Sequence, residues 1–220
     1  MIRNKLSELL SERGLKISHV AKATKIARSS LTSMVQNDSE MIRYDAINKL
    51  CNHLNIAPTD FFDYSPLDFE FTFDDSPVID IDINDKANRI HDAIWVNEFS
   101  FEVIVEMKVN NQSYKYFDLN VELSGQVGSD EKNKLLLWFQ ENNRDELQEL
   151  KDHLETLSAG LKKKLYKNFK DELSKYSKSV LENHIPNDFL FLTSNGEYVN
   201  LKKYISNFVI AWKSAIITPF

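Results

Sequence analysis

The sequence predicts two architectures in one chain. An all-α domain of five short helices spans residues 1–66, and an α+β domain, an antiparallel sheet covered by helices, spans residues 67–220. Three observations carry this. Up to Tyr64, apolar residues recur every three or four positions. From Asp68 to Leu123 they alternate with polar ones. Beyond Gly125 the helical spacing returns for most of the chain.

In the first part, Ile2, Leu6, Leu9 and Leu10 mark one helix, and Gly14 stops it. A second begins near Ser18, which can cap it, or one residue earlier, and carries Val20 and Ala21 on its apolar side. Thr24, Lys25 and Ile26 form a corner. A third helix begins just after Ala27, with Leu31, Met34 and Val35 inward and Arg28, Ser29, Ser30, Thr32 and Ser33 outward. Asn37, Asp38 and Ser39 are loop chemistry. Tyr44 to Leu54 is the fourth helix. Pro58 opens a fifth that carries Phe61 and Phe62, and Ser65-Pro66 reads as a hinge.

In the second part, Asp68–Phe73, Val78–Asn84, Ser100–Val109 and Ser113–Leu123 alternate as strands, with a hairpin loop at Asn110, Asn111 and Gln112. Helical spacing from Asp130 gathers Leu135, Trp138 and Phe139. A leucine-rich stripe then runs from Leu147 to Val180, readable either as cover for the sheet or as a dimer seam. Phe189–Leu192 is a short strand, Asn195-Gly196 a tight turn, and Leu201 to about Ala215 a final helix.

Composition narrows the class. The longest apolar runs, such as Leu135–Phe139, are far too short to span a bilayer, and no apolar stretch follows Arg3 and Lys5 to make a signal peptide. The single cysteine, Cys51, sits on the apolar side of the fourth helix, so it reads as core and no intrachain disulfide forms. These features suit the cytoplasm. Net charge is −6, unevenly divided. Residues 1–66 hold nine Lys/Arg against seven Asp/Glu, and residues 67–220 hold eighteen against twenty-six. That asymmetry implies different partners for each part, and argues that the second part does not itself lie along nucleic acid.

The segment from Lys16 to Asn37 is therefore a helix, a short corner and a second helix whose outer face is free to enter a DNA major groove. The run Ile2–Tyr64 resembles the Xre family of lambda-repressor-like and Cro-like regulators, which occur in phages, mobile elements and bacteria. The signs are the LLSERGLK opening, ISHVAKATKI, RSSLTSM and the INKLCNHLNIAPTDFF ending. Three positions depart from the family. The corner residue, often Gly, is Lys25. The small polar cap before the recognition helix is Ala27, and the glutamine that often opens helix two is replaced at Ile17.

The resemblance implies a sequence-specific DNA-binding transcriptional regulator, a phage or mobile-element repressor acting as a homodimer on a palindromic operator. Arg28 stands where base edges are met, and an arginine there can bond two acceptors on a guanine. Ser29, Ser30, Thr32 and Ser33 share its face. Lys16, Ser18, Gln36, Asn37 and Arg43 resemble positions that grip the DNA backbone. Residues 67–220 would mediate association and receive an antirepressor or other target protein. An alternative layout is an autorepressor whose acidic second part, with seven carboxylates and no base over Asp68–Asp85, inhibits a nuclease as an anti-CRISPR protein does. No catalytic constellation, cofactor motif or metal-ligand spacing is expected, and the protein reads as a non-enzyme. Asp80, Asp82 and Asn84 share a strand face that reads as a solvated acidic surface.

Overall fold

The computed structural model describes residues 1–39, 41–83, 94–129, 134–185, 187, 190–192, 198–200, 202 and 205–219. The N-terminal part contains helices α1 (Leu6–Glu12), α2 (Ile17–Thr24), α3 (Arg28–Gln36), α4 (Tyr44–Leu54) and the single turn α5 (Pro58–Phe61). They close over a core of Leu6, Leu9, Leu10, Val20, Leu31, Met34, Leu50, Cys51, Leu54 and Phe61. Burial pushes the Cys51 thiol up, with the Asp60 charge adding to the effect, so this cysteine behaves as an apolar filler.

Three of these helices end alike. After α1, α3 and α4 the chain turns left-handed at Gly14 (φ 62°), Asn37 (φ 55°) and Asn55 (φ 53°). The next amide then reaches back, Leu15 to Leu10 O at 2.9 Å, Asp38 to Ser33 O at 3.0 Å and Ile56 to Cys51 O at 3.0 Å. This is the Schellman closure, for which Gly and Asn are the cheapest residues. The α2–α3 corner makes the same turn on Lys25, at φ 59°, where a side chain costs roughly 1 kcal/mol.

The ends of this part differ from the sequence expectation. Ile2 belongs not to α1 but to strand β1 (Ile2–Asn4), and Phe62 belongs not to α5 but to β2 (Phe62–Tyr64). The two pair antiparallel, Ile2 opposite Tyr64 and Asn4 opposite Phe62. The Ser65-Pro66 hinge is pinned: the N-terminal ammonium donates to Ser65 O at 2.7 Å and to Leu67 O at 2.6 Å.

The C-terminal part is built on a six-stranded sheet in the order β10 (Val209–Lys213), β7 (Lys134–Glu141), β6 (Gln112–Ser129), β5 (Ile94–Val109) and β3 (Leu67–Phe73). Strand β4 (Val78–Ile83) also pairs with β5. Strand β5 serves β4 with its first half and β3 with its second. Strand β6 passes from β5 to β7 across an irregularity at Leu123–Gly125. Asn110 and Asn111, both at positive φ, make the tight β5–β6 turn.

The sheet is mixed, not purely antiparallel, because β10 runs parallel to β7. Two segments expected as helix are strand. In β7, Leu137 and Phe139 are buried while Trp138 is exposed, a period of two, not three and a half. In β10, Ile210 and Trp212 alternate inward in the same way. The short strands β8 (Leu190–Leu192) and β9 (Tyr198–Asn200) pair with each other, and the expected turn at Asn195-Gly196 lies outside the described residues.

Helices α6 (Gln148–Glu155) and α7 (Ala159–His184) share the stripe from Leu147 to Val180. It is not one continuous seam. Thr156–Ser158 breaks it, and the Ser158 hydroxyl caps α7 by accepting from the Leu161 amide at 3.2 Å. Its apolar residues are buried inside this chain, where α7 packs on the sheet. Phe169 contacts Phe71 and Trp212, each at 4.9 Å between ring centres. Those side chains are unavailable as a dimer seam.

Helix α7 also meets the β1–β2 ribbon. The Arg3 guanidinium donates to Asp63 at 2.9 Å and to Glu8 at 2.6 Å, and the Ser158 hydroxyl donates to the same Asp63 carboxylate at 2.5 Å. Gly160 lies against that guanidinium, and a Cβ there would overlap it. Alanine early in a helix ordinarily stabilises relative to glycine. Here Gly160→Ala should destabilise, by roughly 1–3 kcal/mol, because Arg3 must leave its carboxylates. Equilibrium denaturation tests this, and a stabilised variant would show that Arg3 moves without cost. In the same assay Lys25→Gly should stabilise by about 0.5–1 kcal/mol, since relief of the left-handed strain outweighs the entropy of glycine.

Candidate nucleic-acid interface

Helix α3 has little reason to form alone. Nine residues with four hydroxyl side chains are poor in helix propensity, and no side chain caps it at Ala27. Packing holds it. Leu31 and Met34 are buried in the N-terminal core, and Val35 packs partly against it. At its far end Asn37 bonds with the buried Asn4. The Asn4 amide donates to Asn37 Oδ1 at 2.8 Å, and Asn37 Nδ2 donates to Asn4 O at 3.1 Å. Asn4 Nδ2 also donates to Met34 O at 2.9 Å. Helix α3 is thus fixed along its inner face and at its C-terminus.

What remains is the outer face. Arg28, Ser29 and Ser30 are exposed, and Thr32 and Ser33 are half-buried. Arg28 and Ser29 have no side-chain hydrogen bond or ion pair among the described residues. The Thr32 hydroxyl donates to Arg28 O at 2.9 Å, which leaves its oxygen free only as an acceptor. Ser30 and Ser33 line an open concavity with Lys25, Arg43 and Lys49. Arg43 extends toward it from the start of α4, but its guanidinium is held by Asp45 at 2.9 Å. Partial desolvation works to raise the Asp45 carboxyl, yet the Arg43 hydrogen bond, the Arg43 and Lys49 charges and the Ala46 amide together hold it below the ordinary carboxylate range. That carboxylate therefore competes with any anion for Arg43.

The positions expected to grip backbone divide into two groups. Lys16, Ser18, Gln36 and Arg43 are exposed. Ser18 does not cap α2, which starts one residue earlier with Lys16 at its N-cap and no capping side chain, so the first amides of that helix stay open. Asn37 is different: its carboxamide is spent on Asn4, inside the domain. Sequence reasoning missed Asn4 and Arg3, because a three-residue strand carries too little periodicity to read.

Elsewhere, Asp80 and Asp82 are exposed, and Asp80 accepts from Asn97 at 3.0 Å; Asn84 lies outside the described residues. Among the described residues no three His, Cys, Asp or Glu side chains converge where they could hold a metal ion, and no helix is long and apolar enough to cross a membrane.

Residues 5–66 match the family model of the Cro/C1-type helix-turn-helix DNA-binding domain. The chain has no match among curated proteins and none among solved structures. The match spans α1 to β2, leaves out β1, and stops where the sheet begins. An open arginine and serine face on a helix clamped from behind is the arrangement that such a domain presents to a major groove. Residues 5–66 are accordingly a segment similar to Cro/C1-type helix-turn-helix DNA-binding domains, and α2 and α3 lie within it.

Proposed function

We propose that the protein is a transcriptional repressor that reads duplex DNA through α3 and acts as a dimer on a palindromic operator. The observation that carries this is the partnerless Arg28 on the open face of a helix whose opposite face is locked. A free guanidinium at the first turn of a recognition helix suits the two acceptors of a guanine edge, a contact worth roughly 1–3 kcal/mol of discrimination. Ser29, Thr32 and Ser33 supply shorter polar contacts to bases or phosphates. Lys16, Ser18, Gln36 and Arg43 set the register on the backbone.

Dimerisation follows from arithmetic. One small domain with a net charge of only +2 over residues 1–66 neutralises few phosphates, so two linked domains supply the affinity. In this reading the sheet-rich part holds the two copies together and receives the signal that releases them. The leucine stripe is committed to its own core, so association falls to other surfaces of that part.

Selection of bound duplexes from random DNA tests the reading as a whole. The expected result is an inverted repeat with half-site centres about one helical turn apart, roughly 34 Å; recovery of no common sequence would defeat it. On a selected duplex, Arg28→Ala should weaken binding by roughly tenfold and flatten the preference at one position of each half-site. Asp45→Asn should act in the other direction. With Arg43 released, affinity for selected and random duplexes alike should rise roughly two- to fivefold at low salt.

A further inference from the structure

The cleft between the helix-turn-helix domain and α7 is lined on one wall by lysines that the net charge of the C-terminal part conceals. The first three turns of α7, Ala159–Lys170, hold five lysines and no carboxylate. Leu161, Leu165, Phe169 and Leu173 take the face toward the sheet. Lys163, Lys167 and Lys170, spaced by four and three, fall together on the opposite side. That side faces the end of α3: the cleft is bounded by Gln36, Asn37 and Asp38 on one wall and by these lysines on the other.

The acids in the cleft are largely spoken for. Glu8 is held by Arg3, and Asp38 by Lys167. Lys164 donates to Ile2 O at 2.7 Å. Lys163 and Lys170 have no ion-pair or hydrogen-bond partner among the described residues, and of the acids lining the cleft only Asp171 is left to set against them. Asp38 also borders the concavity that holds Ser30, Ser33 and Arg43, so the lysine row continues the outer face of α3. A helix seated in the major groove with its N-terminal residues on the bases has its C-terminal end nearer the rim of the groove, where the phosphates lie.

We propose that Lys163 and Lys170 of α7 bind the sugar-phosphate backbone of the duplex that α3 reads, so that the C-terminal part lengthens the DNA footprint. The inference rests on α3 being the DNA-contacting helix. Lysine on an exposed helix is well matched to phosphate, because it is a mobile point charge that neutralises the backbone without reading sequence.

The decisive measurement is the salt dependence of binding by the full-length Lys163→Ala/Lys170→Ala variant, set beside the parent and Arg28→Ala. The probes are a duplex selected from random DNA and a random-sequence duplex of equal length. Neither lysine has a partner to lose, so the variant should unfold at the same denaturant midpoint as the parent. The slope of log affinity against log salt should become shallower by about 1–2, and affinity at low salt should fall several-fold on both probes. Arg28→Ala should instead weaken the selected probe more than the random one. If the double variant keeps the parent's slope and affinity while Arg28→Ala loses its preference, the lysine proposal falls and the reading of α3 stands. If the parent binds neither probe, both fall.

Discussion

Arg3, through its pairing inside the first part, builds the surface that α7 meets. Its side chain is 8% exposed and is shared between Asp63 and Glu8. Gly160 lies directly against it, and the hydroxyl that caps α7 reaches the same Asp63. Lys167 with Asp38, which joins the two parts, is an exposed pair, and the N-terminal ammonium stands 3.8 Å from Asp68. Exposed pairs contribute about 0–1 kcal/mol, whereas leaving the nearly buried guanidinium unpaired costs more, so the Arg3 cluster holds in place the ribbon that α7 meets. The glycine completes the fit: with no Cβ at position 160, the guanidinium can sit against the first turn of α7.

That surface is one residue away from the strand position that holds the end of α3. Arg3 and Asn4 are neighbours in β1: Arg3 bonds Asp63, which also accepts from the Ser158 cap of α7, and Asn4 bonds Asn37 at the end of α3. A strand of three residues thus links the surface that meets α7 to the end of α3. Helix α3 depends on this, because its composition would not keep it folded alone. Its outer face could be given over to arginine and hydroxyl groups because Leu31, Met34 and Asn37 do the holding.

What could be read from the chain was whatever local periodicity encodes. The helical spacing around Leu6, Val20, Leu31 and Leu50 and the alternation of β3 to β6 come from each segment burying its own face. The corner at Thr24, Lys25 and Ile26 and the outward set Arg28, Ser29, Ser30, Thr32 and Ser33 follow from the same pattern, whereas the left-handed turn at Lys25 is seen only in the structure. Failures fall where local pattern is ambiguous or absent. Leu135–Phe139 is apolar throughout, and in so short a run a strand and a helix look alike. The segment ending in Trp212 has apolar residues at both spacings, and pairing of β10 with β7, far away in sequence, decides it. The β1–β2 ribbon joins residues about sixty positions apart, and the work of Asn4 and Arg3 exists only after it closes.

Charge shows the same limit of averaging. Residues 67–220 are acidic in sum, yet the signs are sorted in space. The sheet turns Phe101, Val103, Val105 and Met107 toward α7 and presents Glu98, Glu102 and Ile104 on the side away from it, with Asp118 exposed on the neighbouring strand. Across the sheet, α7 carries its lysines on the side that meets the helix-turn-helix domain. The acidic surface is therefore separated from α3 by the thickness of the sheet and of α7. A polyanion approaching such a molecule is repelled from one side and drawn to the other, which orients the encounter before any base is touched. At ordinary ionic strength screening acts over about 8–10 Å, roughly the separation of two packed layers. The acids then cost the bound state little while keeping the far side of the protein off the duplex, and an overall negative charge is compatible with a surface made for DNA.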